Sequence, residues 1–437
     1  MSDRRLRALI DQQLVGELSD TDGWWRFAYA ADWLAHPAAF ALSPHLPLQA
    51  EPISDTSTHR QVQWYFDNLL PEEDQRRQLA RDAGIRWEDA FGMLASYGAE
   101  SAGSLTLLPV DAPPDAIGGL RPLPDAALSE RIRAMPKVSL ASGAIKRMSL
   151  AGAQHKLAVV LDGDALHEPI GSTASTYILK PDHSGDDYPH SVANEWFVMR
   201  LARQMQLNAP RVLRRYVPEP VYLIERFDRR REGDITRRLH AIDGCQLLGL
   251  DKFYKYEAGS IDKLDTVARA CRAPALARLE LFKWTVFNAL VGNSDAHLKN
   301  LSFLVSTEGI QLSPIYDLVS VAVYDSQAFS DSRWPVETPL AWPLMGRRRF
   351  SELDQAALME AAGAMRIGKA TALRVSSKMV AQIETEADQL LDQIARENET
   401  LAQQHLGLLS ARLAGEMRCL RAIRFTIIAE MVRKLSS

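Results

Sequence analysis

Cysteine, long apolar runs and an excess of one charge are all scarce in this chain of 437 residues. Its three cysteines, Cys245, Cys271 and Cys419, are too far apart in sequence for a CxxC metal pair or a disulfide framework. We therefore expect a protein of the reducing cytoplasm. No run of about 18 apolar residues is present, and the basic N-terminus lacks the apolar core of a signal peptide. Neither export nor membrane insertion is expected.

The formal net charge is −4 and the sequence pI is about 6.2, so the chain as a whole does not attract nucleic acid. Contact with DNA is expected only through local basic patches or through a partner. The candidate patches are Arg229–Arg231 with Arg237 and Arg238, and Arg347–Arg349. Clusters of this kind are more often solvated charged faces than binding sites.

The length and the hydrophobic share of 46% indicate a globular chain of more than one domain. Strand and helix signals together predict a small α+β domain over residues 1–109, with a hairpin turning at Asp22-Gly23 and a helix after Pro71. Residues 110–138, rich in Pro, Gly and Ala, are typical of a linker on the surface. Strand signals dominate residues 139–239, and helical periodicity dominates residues 240–437. The predicted fold class is α+β, with a two-lobed core whose N-lobe mixes strands and helices and whose C-lobe is all-helical.

The most informative segment is GNSDAHLKN, residues 292–300, in which an Asp and an Asn are five residues apart. Such strings also arise by chance in turns. In a phosphotransferase catalytic loop with this spacing, the Asp accepts a hydroxyl proton and the Asn binds a magnesium ion. Asp295 and Asn300 are the candidates for these roles. A buried helix is predicted just upstream from four apolar residues at helical spacing, Leu281, Trp284, Phe287 and Leu290.

A lysine and a glutamate upstream of this loop fit the ion pair with which protein kinases hold a lysine against the nucleotide. Lys180 ends a short apolar strand in STYILKP. Glu195 lies at the start of a predicted amphipathic helix in NEWFVMRLARQM. Each residue also has a plain structural interpretation: a surface lysine at a strand end, and a first-turn acid favoured by the helix dipole.

Two further segments complete the set expected of a phosphotransferase. Small residues around Gly152, in SLAGAQHK, would let backbone amides approach phosphate oxygens, although a single glycine equally suits a plain turn. A hairpin is predicted next, turning at Asp162-Gly163. Downstream, two predicted strands joined at Glu308-Gly309 lead to Asp317. This residue is either a second metal ligand or a capping residue of a turn.

The order glycine loop, strand Lys, helix Glu, Asp-x4-Asn and second Asp is more specific than any of its members. With YLIERFDR and CQLLGLDKFYKYE, these segments resemble the HipA toxin kinases of bacterial toxin–antitoxin modules, over most of the chain. WYFDNLLPE, residues 64–72, and GAESAGSLTLLP, residues 98–109, are similar to the small domain that precedes the kinase core in full-length members. The resemblance implies a protein-kinase-like core.

The resemblance also implies a role for each residue that matches the family's motifs. Asp295 would be the catalytic base, Asn300 and Asp317 the Mg²⁺ ligands, and Glu195 the structural ion-pair partner of Lys180. Glu225–Phe227 would form the adenine-facing hinge. The implied ATP-binding residues are Ala151, Gly152, Ala153, Gln154, His155, Lys156, Lys180, Glu225, Arg226, Phe227, His297, Lys299, Asn300, Tyr316 and Asp317.

Regulation and partners are implied as well. Ser149 matches the serine that family members autophosphorylate, a change that ejects the nucleotide loop and switches the enzyme off. The implied target is a translation component, most typically an aminoacyl-tRNA synthetase such as the glutamyl enzyme, with growth arrest as the result. The implied partner is a helix-turn-helix antitoxin and, through it, operator DNA. Family members often have Gln-Glu-Asp where this chain has residues 241–243, Ala-Ile-Asp, and the tail after about Glu397 lies outside the resemblance.

Two other functions stay open from the sequence. The chain could act mainly as a corepressor that docks on a DNA-binding antitoxin, with weak catalysis. A small-molecule or lipid kinase of related architecture is less favoured, because WYFDNLLPE points to the toxin family. Since every expected member of the catalytic set is present, the protein kinase is the leading hypothesis.

Overall fold

The computed structural model describes residues 3–112, 118–135, 137–141, 150–152, 154–233, 235–330, 333–404 and 409–436. Two residues named above lie outside the described residues: Ser149, the predicted autophosphorylation site, and Ala153 of the predicted nucleotide loop.

Strands and helices both occur along the chain, so the predicted α+β class is confirmed. The strands are β1 (Asp3–Ile10), β2 (Gln13–Thr21), β3 (Trp24–Tyr29), β4 (Ile53–Ser54), β5 (Leu105–Pro109), β6 (Gly119–Pro122), β7 (Leu157–Asp162), β8 (Ala165–Ile170), β9 (Tyr177–Pro181), β10 (Val212–Tyr216), β11 (Pro220–Glu225), β12 (Arg229–Glu232), β13 (Ile235–Arg238), β14 (Ala241–Asp243), β15 (Ser302–Ser306), β16 (Gly309–Leu312), β17 (Pro339–Leu344) and β18 (Arg347–Arg349).

The α-helices are α1 (Ala31–Leu34), α2 (Gln61–Asp67), α3 (Glu73–Ala83), α4 (Ala90–Tyr97), α5 (Asp125–Ala134), α6 (Ser191–Gln204), α7 (Gly244–Leu248), α8 (Ile261–Ala270), α9 (Pro274–Val291), α10 (Gln355–Ala364), α11 (Lys369–Gln404), α12 (Ser410–Ala422) and α13 (Ala429–Leu435). A π-helical turn, Ile423–Ile428, joins α12 to α13. Short 3₁₀ turns are Lys252–Tyr254, Leu298–Asn300, Val321–Asp325 and Phe350–Glu352.

The chain divides into two compact units. Unit 1 comprises Met1–Pro181, Arg215–Lys255 and Ser302–Ser313, and unit 2 comprises Asp182–Arg214, Tyr256–Leu301 and Pro314–Ser437. Unit 1 therefore includes both the predicted small domain and most of the predicted nucleotide lobe. Unit 2 includes the loop of Asp295.

The N-terminal part of unit 1 is an antiparallel sheet in the order β4-β3-β2-β1-β5. Strands β2 and β3 form the predicted hairpin, and its turn residues Asp22 and Gly23 have φ angles of 52° and 86°. The sheet buries Phe27, whose ring contacts the Phe66 ring of α2 with centroids 5.5 Å apart. The segment after Pro71 is helical, as the sequence predicts.

A second sheet has the order β10-β11-β9-β7-β8-β6. Strands β7 and β8 form the predicted hairpin, but Asp162 pairs with Ala165, so the turn is Gly163-Asp164, one residue later than predicted. Gly163 has the positive φ, 55°, that such a short loop favours. Because β9 lies between β11 and β7, Lys180 is part of an interior strand.

Residues 110–138 are not the plain linker that the composition predicts. Strand β6 pairs with β8, and α5 follows with Leu128 buried. Glu168 of β8 accepts hydrogen bonds from Arg121 of β6 at 2.9 Å and from Arg131 of α5 at 2.7 Å. The sequence predicted a linker because β6 and α5, which lie among prolines and glycines, are too short to show a hydrophobic period.

Helices dominate residues 240–437, and the structure adds strands to that region. Strands β14, β15 and β16 form a three-stranded antiparallel sheet in unit 1, and β17 and β18 form a hairpin in unit 2. The predicted strand pair near Glu308-Gly309 is present as β15 and β16. Ser306 pairs with Gly309, so the turn residues are Thr307 and Glu308.

Helix α9 leads into the Asp295 loop. It begins with Pro274 at its first position, where a missing N–H costs nothing. The four apolar residues predicted to bury one face are all buried: Leu281, Trp284, Phe287 and Leu290. The predicted helix is therefore confirmed.

The tail after Glu397 packs within unit 2. Helix α12 contacts α6, and the π turn and α13 contact α9. Arg214 donates to Glu416 of α12 at 2.6 Å, with both side chains at most 2% exposed. The Arg214 guanidinium also lies 4.2 Å from the Trp196 ring centroid of α6. A charge pair this deeply buried fixes the tail to unit 2.

All three cysteines are buried free thiols. Burial raises the pKa of the Cys419 thiol to about 12, so this thiol stays protonated near neutral pH. Within the described part of the chain, no helix combines the length and the apolar character that a membrane crossing requires.

Candidate active site

The way α9 ends determines where the Asp295 loop begins. Gly292 follows the helix with a φ of 65°, the left-handed conformation of a helix C-terminal cap. A Cβ at Gly292 would lie 2.6 Å from Ile427 Cγ2 and 2.7 Å from Ala322 Cβ. The Ala322 N–H donates to the Gly292 carbonyl at 2.9 Å. Both the backbone angle and close packing against the π turn therefore require glycine here.

Amide side chains fix the loop after Gly292. Asn293 is buried; its Nδ2 donates to Asn288 Oδ1 of α9 at 2.7 Å, and its Oδ1 accepts the Asp295 N–H at 3.0 Å. Buried amides are stable only when both their donors and acceptors are bonded. These bonds therefore link the backbone of Asp295 to the last turn of α9.

Asp295 and Asn300, which the spacing alone singles out, lie in direct contact. Asn300 Nδ2 donates to the Asp295 carbonyl at 2.8 Å, so the planar amide directs its oxygen away from that bond. The Asp295 side chain is half-buried, and the Tyr256 hydroxyl donates to its Oδ1. A carboxylate can accept a proton, and an amide oxygen can bind a hard cation. The loop thus holds both chemical groups that the sequence predicts.

His297, Lys299 and Tyr316 belong to the same local group. The His297 ring packs edge-to-face on the Tyr256 ring, with centroids 4.9 Å apart. Lys299 is buried, and its carbonyl accepts the Tyr316 O–H at 2.8 Å. This bond ties the segment before Asp317 to the Asp295 loop. Contact of these three side chains with a nucleotide stays a prediction.

Asp317 lies in a segment that is held on both sides. Its φ of 56° is uncommon for a residue other than glycine. On one side, the Ile315 N–H donates to the Asn208 carbonyl at 2.7 Å. On the other, Asn194 of α6 accepts the Ser320 N–H at 2.9 Å and donates to the Ser320 carbonyl at 3.0 Å. Backbone strain maintained by surrounding contacts is common at functional sites, which favours the metal-ligand interpretation.

The oxygen donors of unit 2 fit magnesium. Asn300 offers an amide oxygen and Asp317 a carboxylate. Across the residues that the structure describes, no group of three or more His, Cys, Asp or Glu side chains forms a ready-made metal site. Mg²⁺ is usually held by one or two carboxylates together with waters and substrate phosphates rather than by an all-protein cage. Two protein ligands are therefore a suitable set for a magnesium ion that arrives with a nucleotide.

Lys180, in unit 1, lies near the end of strand β9. It is only 7% exposed, which excludes the surface-lysine interpretation. Tyr222 of β11 is its partner in the strand register, and the Lys180 ammonium lies 5.7 Å from the Tyr222 ring centroid. An aromatic face stabilises an ammonium at this range. The strand therefore holds a positive charge at a defined position within unit 1.

The predicted nucleotide loop of unit 1 is close-packed around Gly152, whose φ is 106°. Lys156 Nζ donates to the Ala151 carbonyl at 2.5 Å, and a Cβ on Gly152 would lie 2.6 Å from that nitrogen. Gln154 Nε2 donates to the Pro181 carbonyl at 3.3 Å. Since Pro181 follows Lys180, the structure brings these two predicted parts together. His155 is half-buried in the same loop.

Residues of the N-terminal part support this loop from outside. Pro71 and Gly152 form an isolated parallel bridge, and the Glu72 N–H donates to the Gly152 carbonyl at 3.1 Å. The Gln75 amide of α3 faces two carbonyl oxygens, so its nitrogen is assigned to the position that lies 3.2 Å from the Gly152 carbonyl and 2.8 Å from the Gln154 carbonyl. Sequence reasoning missed these supports, because nothing in WYFDNLLPE or the helix after it indicates a partner about 80 residues later.

The predicted hinge requires a correction at Arg226. Its side chain is buried and donates to Asp228 at 2.7 and 2.9 Å and to the Ser101 carbonyl at 2.9 Å. Its N–H donates to the Thr176 carbonyl at 2.9 Å. Arg226 is therefore a structural ion-pair residue whose side chain does not line a nucleotide site. Its neighbours are Glu225, which is exposed, and Phe227, which is half-buried.

Arg226 belongs to a buried cluster of charged side chains. Sequence reasoning missed this cluster. Glu100 is wholly buried and accepts hydrogen bonds from Arg229 and Ser175 Oγ, each at 2.8 Å, and from Arg238 at 3.2 Å. Burial opposes ionisation, yet the nearby guanidiniums hold the pKa of Asp228 below its usual value. Arg229 and Arg238 are at most 9% exposed, so these members of the predicted basic patch form an internal ion cluster.

Two further residues named in the sequence analysis, Glu195 and Asp243, lie in helix α6 and at the start of helix α7. Glu195 is buried in the second turn of α6, a helix buried on most sides, so neither a first-turn acid nor an amphipathic helix describes it. Its ion pair with Lys180 stays a prediction. Asp243 caps α7: it accepts the Gln246 N–H at 2.8 Å, and Gln246 Oε1 accepts the Asp243 N–H at 2.9 Å. This gives Asp243 a structural role.

Known proteins match the chain along most of its length. A family profile described as the HipA N-terminal domain matches residues 6–108, and one described as the HipA-like C-terminal domain matches residues 148–394. "Putative kinase Y4mE" of Sinorhizobium fredii is 37% identical over 337 residues, which are 74% of this chain and 79% of that protein. The serine/threonine-protein kinase toxin HipA of Shewanella oneidensis is 32% identical over 335 residues, 71% of this chain and 74% of that protein.

A solved structure matches as well. It is the complex of HipA, HipB and operator DNA from Shewanella oneidensis, with a TM-score of 0.74 and 25% identity. The match covers 98% of this chain and 99% of the matched chain, so it includes both compact units and the tail.

Proposed function

The chain belongs to the HipA family, and from that premise we propose that it is an ATP- and magnesium-dependent serine/threonine protein kinase, the toxin of a toxin–antitoxin module. The observation that carries the proposal is the loop from Asp295 to Asn300. There a half-buried carboxylate and an amide oxygen are held together by the hydrogen bond of 2.8 Å from Asn300 to the Asp295 carbonyl. Phosphoryl transfer to a hydroxyl uses this pair of groups.

In this mechanism Asp295 accepts the proton of the serine or threonine hydroxyl, whose oxygen bonds to the γ-phosphorus of ATP while the bond from that phosphorus to the β-phosphate oxygen breaks and ADP leaves. Asn300 and Asp317 hold the magnesium ion, which supplies charge neutralisation on the phosphates when it is bound. The bond from Tyr316 to the Lys299 carbonyl keeps the two ligand segments at a fixed separation. A fixed geometry lowers the entropy that the chemical step would otherwise lose.

Most of the residues proposed to hold the nucleotide belong to unit 1, whereas Glu195 belongs to unit 2. Lys180 orients the phosphates, and the loop Ala151–Lys156 covers them with its backbone amides. Glu195 stabilises the lysine, and Glu225–Phe227 contact the adenine, with Arg226 contributing only its backbone.

The proposed target is a component of translation, namely an aminoacyl-tRNA synthetase such as the glutamyl enzyme. Family membership supports this target. Ser149 is the proposed site of self-inactivation. A dianionic phosphate one residue before Leu150 and the loop that holds ATP phosphates would repel the nucleotide by like charge. Phosphorylated Ser149 should therefore accompany weak ATP binding.

Asp295→Asn tests the kinase. We expect phosphoryl transfer to fall about 10²- to 10⁴-fold, the usual contribution of a general base, while ATP binding is retained. Asp262→Asn, on the exposed surface of α8, is the matched control and should leave both unchanged. Turnover is measured with radiolabelled ATP, and binding by calorimetry. Undiminished turnover in Asp295→Asn would contradict the assignment of the base.

A comparison of the native chain with Asp295→Asn tests the proposed target. Phosphopeptides found after induction of the native chain, and missing after induction of Asp295→Asn, identify its substrates. A set that contains no aminoacyl-tRNA synthetase would overturn the proposed target and leave the kinase assignment intact.

The proposed partner is a helix-turn-helix antitoxin on operator DNA, because the Shewanella oneidensis relative is found in a complex with HipB and its operator. A net charge of −4 gives this chain no general attraction for DNA. In a gel-shift assay we expect it to shift the operator only when the antitoxin is present, and Asp295→Asn to act equally well. A shift by the chain alone would contradict this docking role, which is compatible with kinase activity.

A further inference from the structure

Tyr256 contacts Asp295 across 39 residues of sequence. Its hydroxyl donates to Asp295 Oδ1, and both residues lie in unit 2. The tyrosine belongs to CQLLGLDKFYKYE, a segment for which the proposed mechanism has no use. The proposed mechanism therefore does not explain this hydrogen bond.

Packing fixes the position of this hydroxyl. The Tyr256 ring meets the His297 ring edge-to-face at 82°, with centroids 4.9 Å apart. The Tyr256 carbonyl accepts the Gly259 N–H at 2.9 Å, which closes a turn. A Cβ on Gly259 would lie 2.2 Å from Trp342 Cε3, so this turn is tightly packed against Trp342. The phenol is thus presented by a constrained ring on a constrained backbone.

Three other hydrogen bonds of the loop act on the backbone of Asp295. Its N–H donates to Asn293, and its carbonyl accepts from Asn300 Nδ2 and from the His297 N–H at 2.9 Å. A fixed backbone still allows an aspartate side chain to change its χ angles. The hydrogen bond from Tyr256 restricts that motion, because it acts on the carboxylate itself.

The bond from Tyr256 uses only part of the acceptor capacity of the Asp295 carboxylate. A carboxylate offers about four lone-pair positions on its two oxygens, and a single O–H occupies one of them. The bond from Tyr256 therefore orients the carboxylate without consuming its ability to accept a proton. Tyr256 is 38% exposed, so this contact lies where a protein acceptor can approach unit 2.

We infer that Tyr256 is a positioning residue: its bond to Oδ1 holds the Asp295 carboxylate in the orientation that accepts the proton of the substrate hydroxyl. The inference rests on the proposed function of Asp295 as the base. A carboxylate held in its reactive orientation raises the rate of the chemical step and leaves substrate affinity unchanged.

Tyr256→Phe is the decisive variant, because it removes the hydroxyl and keeps the ring against His297. We expect kcat to fall about 10- to 100-fold, as misplacement of a reacting group does, with the KM values for ATP and acceptor unchanged. Tyr254→Phe, an exposed tyrosine two residues earlier, is the control and should keep full kcat. If packing were the only role of the ring, Tyr256→Phe would retain full kcat and Tyr256→Leu would lose it.

Asp295→Asn is assayed beside these variants, which separates the two ideas. An Asp295→Asn protein with undiminished phosphoryl transfer would contradict the proposed function itself. An inactive Asp295→Asn protein together with a fully active Tyr256→Phe protein would overturn the positioning role alone.

A second measurement needs neither nucleotide nor turnover. The native protein is labelled with ¹³C at tyrosine Cζ, and Tyr256→Phe identifies the resonance of Tyr256 by its loss. In Asp295→Asn the acceptor becomes a neutral amide, so we expect this resonance to shift while that of Tyr254 does not. A Tyr256 resonance that stays in place would show that the hydroxyl does not bind the carboxylate in solution.

Discussion

The two compact units fix their proposed functional residues by different interactions. In unit 2, neutral amides and the packing of Gly292 hold Asp295, and these neighbours belong to the same unit. In unit 1, the buried carboxylate of Glu100 supports the hinge, and Gln75 supports the loop of Gly152. The groups proposed for chemistry are therefore organised by their neighbours on α9 and the tail. The groups proposed for nucleotide binding depend on the N-terminal part of the chain.

This difference has energetic consequences. A neutral hydrogen bond contributes about 0.5–1.5 kcal/mol to stability. In unit 2 the position of Asp295 therefore depends on several hydrogen bonds, each of moderate strength. Removing one partner of a buried ion pair costs about 3–5 kcal/mol, because a charge is left uncompensated. In unit 1, single substitutions should therefore lower the free energy of unfolding most at the buried charge cluster. In unit 2, they should lower it most at positions where close packing leaves no space for a larger side chain.

The largest effect is expected for Glu100→Gln. The amide keeps the shape of the side chain and removes the negative charge that Arg229 and Arg238 face. We expect the free energy of unfolding to fall by about 3–5 kcal/mol. The measurement is urea unfolding followed by tryptophan fluorescence.

Glu232→Gln is the matched control. Glu232 also pairs with two arginines, Arg230 and Arg237, but on the exposed hairpin of β12 and β13. Its loss should leave the unfolding midpoint unchanged, since exposed pairs contribute little. If the two variants were equally stable, the buried charge cluster of unit 1 would contribute no more to stability than an exposed ion pair.

Gly292→Ala tests the contribution of close packing in unit 2. A left-handed alanine costs about 1–2 kcal/mol, and forcing a methyl group against Ile427 and Ala322 adds about 1–3 kcal/mol. We expect a total loss of about 3 kcal/mol in the free energy of unfolding, with lower turnover because the Asp295 loop moves. The same urea titration and the kinase assay measure both effects.

Gly84→Ala separates these two contributions. Gly84 caps α3 with a φ of 67°, close to the 65° of Gly292, and a Cβ there would meet nothing within 4 Å. This variant should lose only the backbone term, about 1 kcal/mol. If both glycine variants lost the same stability, crowding by the tail would have no part in holding the loop.

The sequence predicted those parts of the molecule whose signals are local. The hydrophobic spacing of α9 and the pattern Asp-x4-Asn placed Asp295 correctly at the end of a buried helix. The hairpins at residues 22–23 and 163–164 were predicted from turn glycines, the second within one residue. Short elements such as β6 and α5 were missed, because four to ten residues beside prolines show no clear period.

The contacts that support the site could not be predicted, because their partners are distant in sequence. Glu100 meets Arg229 across 129 residues, and Tyr256 meets Asp295 across 39. Nothing near either residue distinguishes it from an ordinary surface acid or an ordinary loop tyrosine. Arg226 shows the opposite case: its place in a motif suggested a side chain that faces the ligand, but its charge is neutralised within the protein by Asp228, so only its backbone stays a candidate for nucleotide contact.

Gln75→Ala has the smallest expected effect and addresses the nucleotide loop directly. It removes the donors 3.2 and 2.8 Å from the Gly152 and Gln154 carbonyls, and the rest of α3 is kept. Each lost bond is worth about 1 kcal/mol. Since the Glu72 N–H still holds Gly152, we expect global stability to change little and ATP affinity to fall about fivefold, the factor that corresponds to about 1 kcal/mol.

Calorimetry measures the affinity, and hydrogen exchange of residues 150–156 measures the loop in the absence of nucleotide. Arg77→Ala, an exposed residue of the same helix, is the control for helix propensity and charge. Faster exchange and weaker binding in Gln75→Ala alone would show that the N-terminal part stabilises the binding conformation of the loop. Unchanged exchange in both variants would mean that the loop supports itself, and the contrast between the two units would then be confined to the hinge.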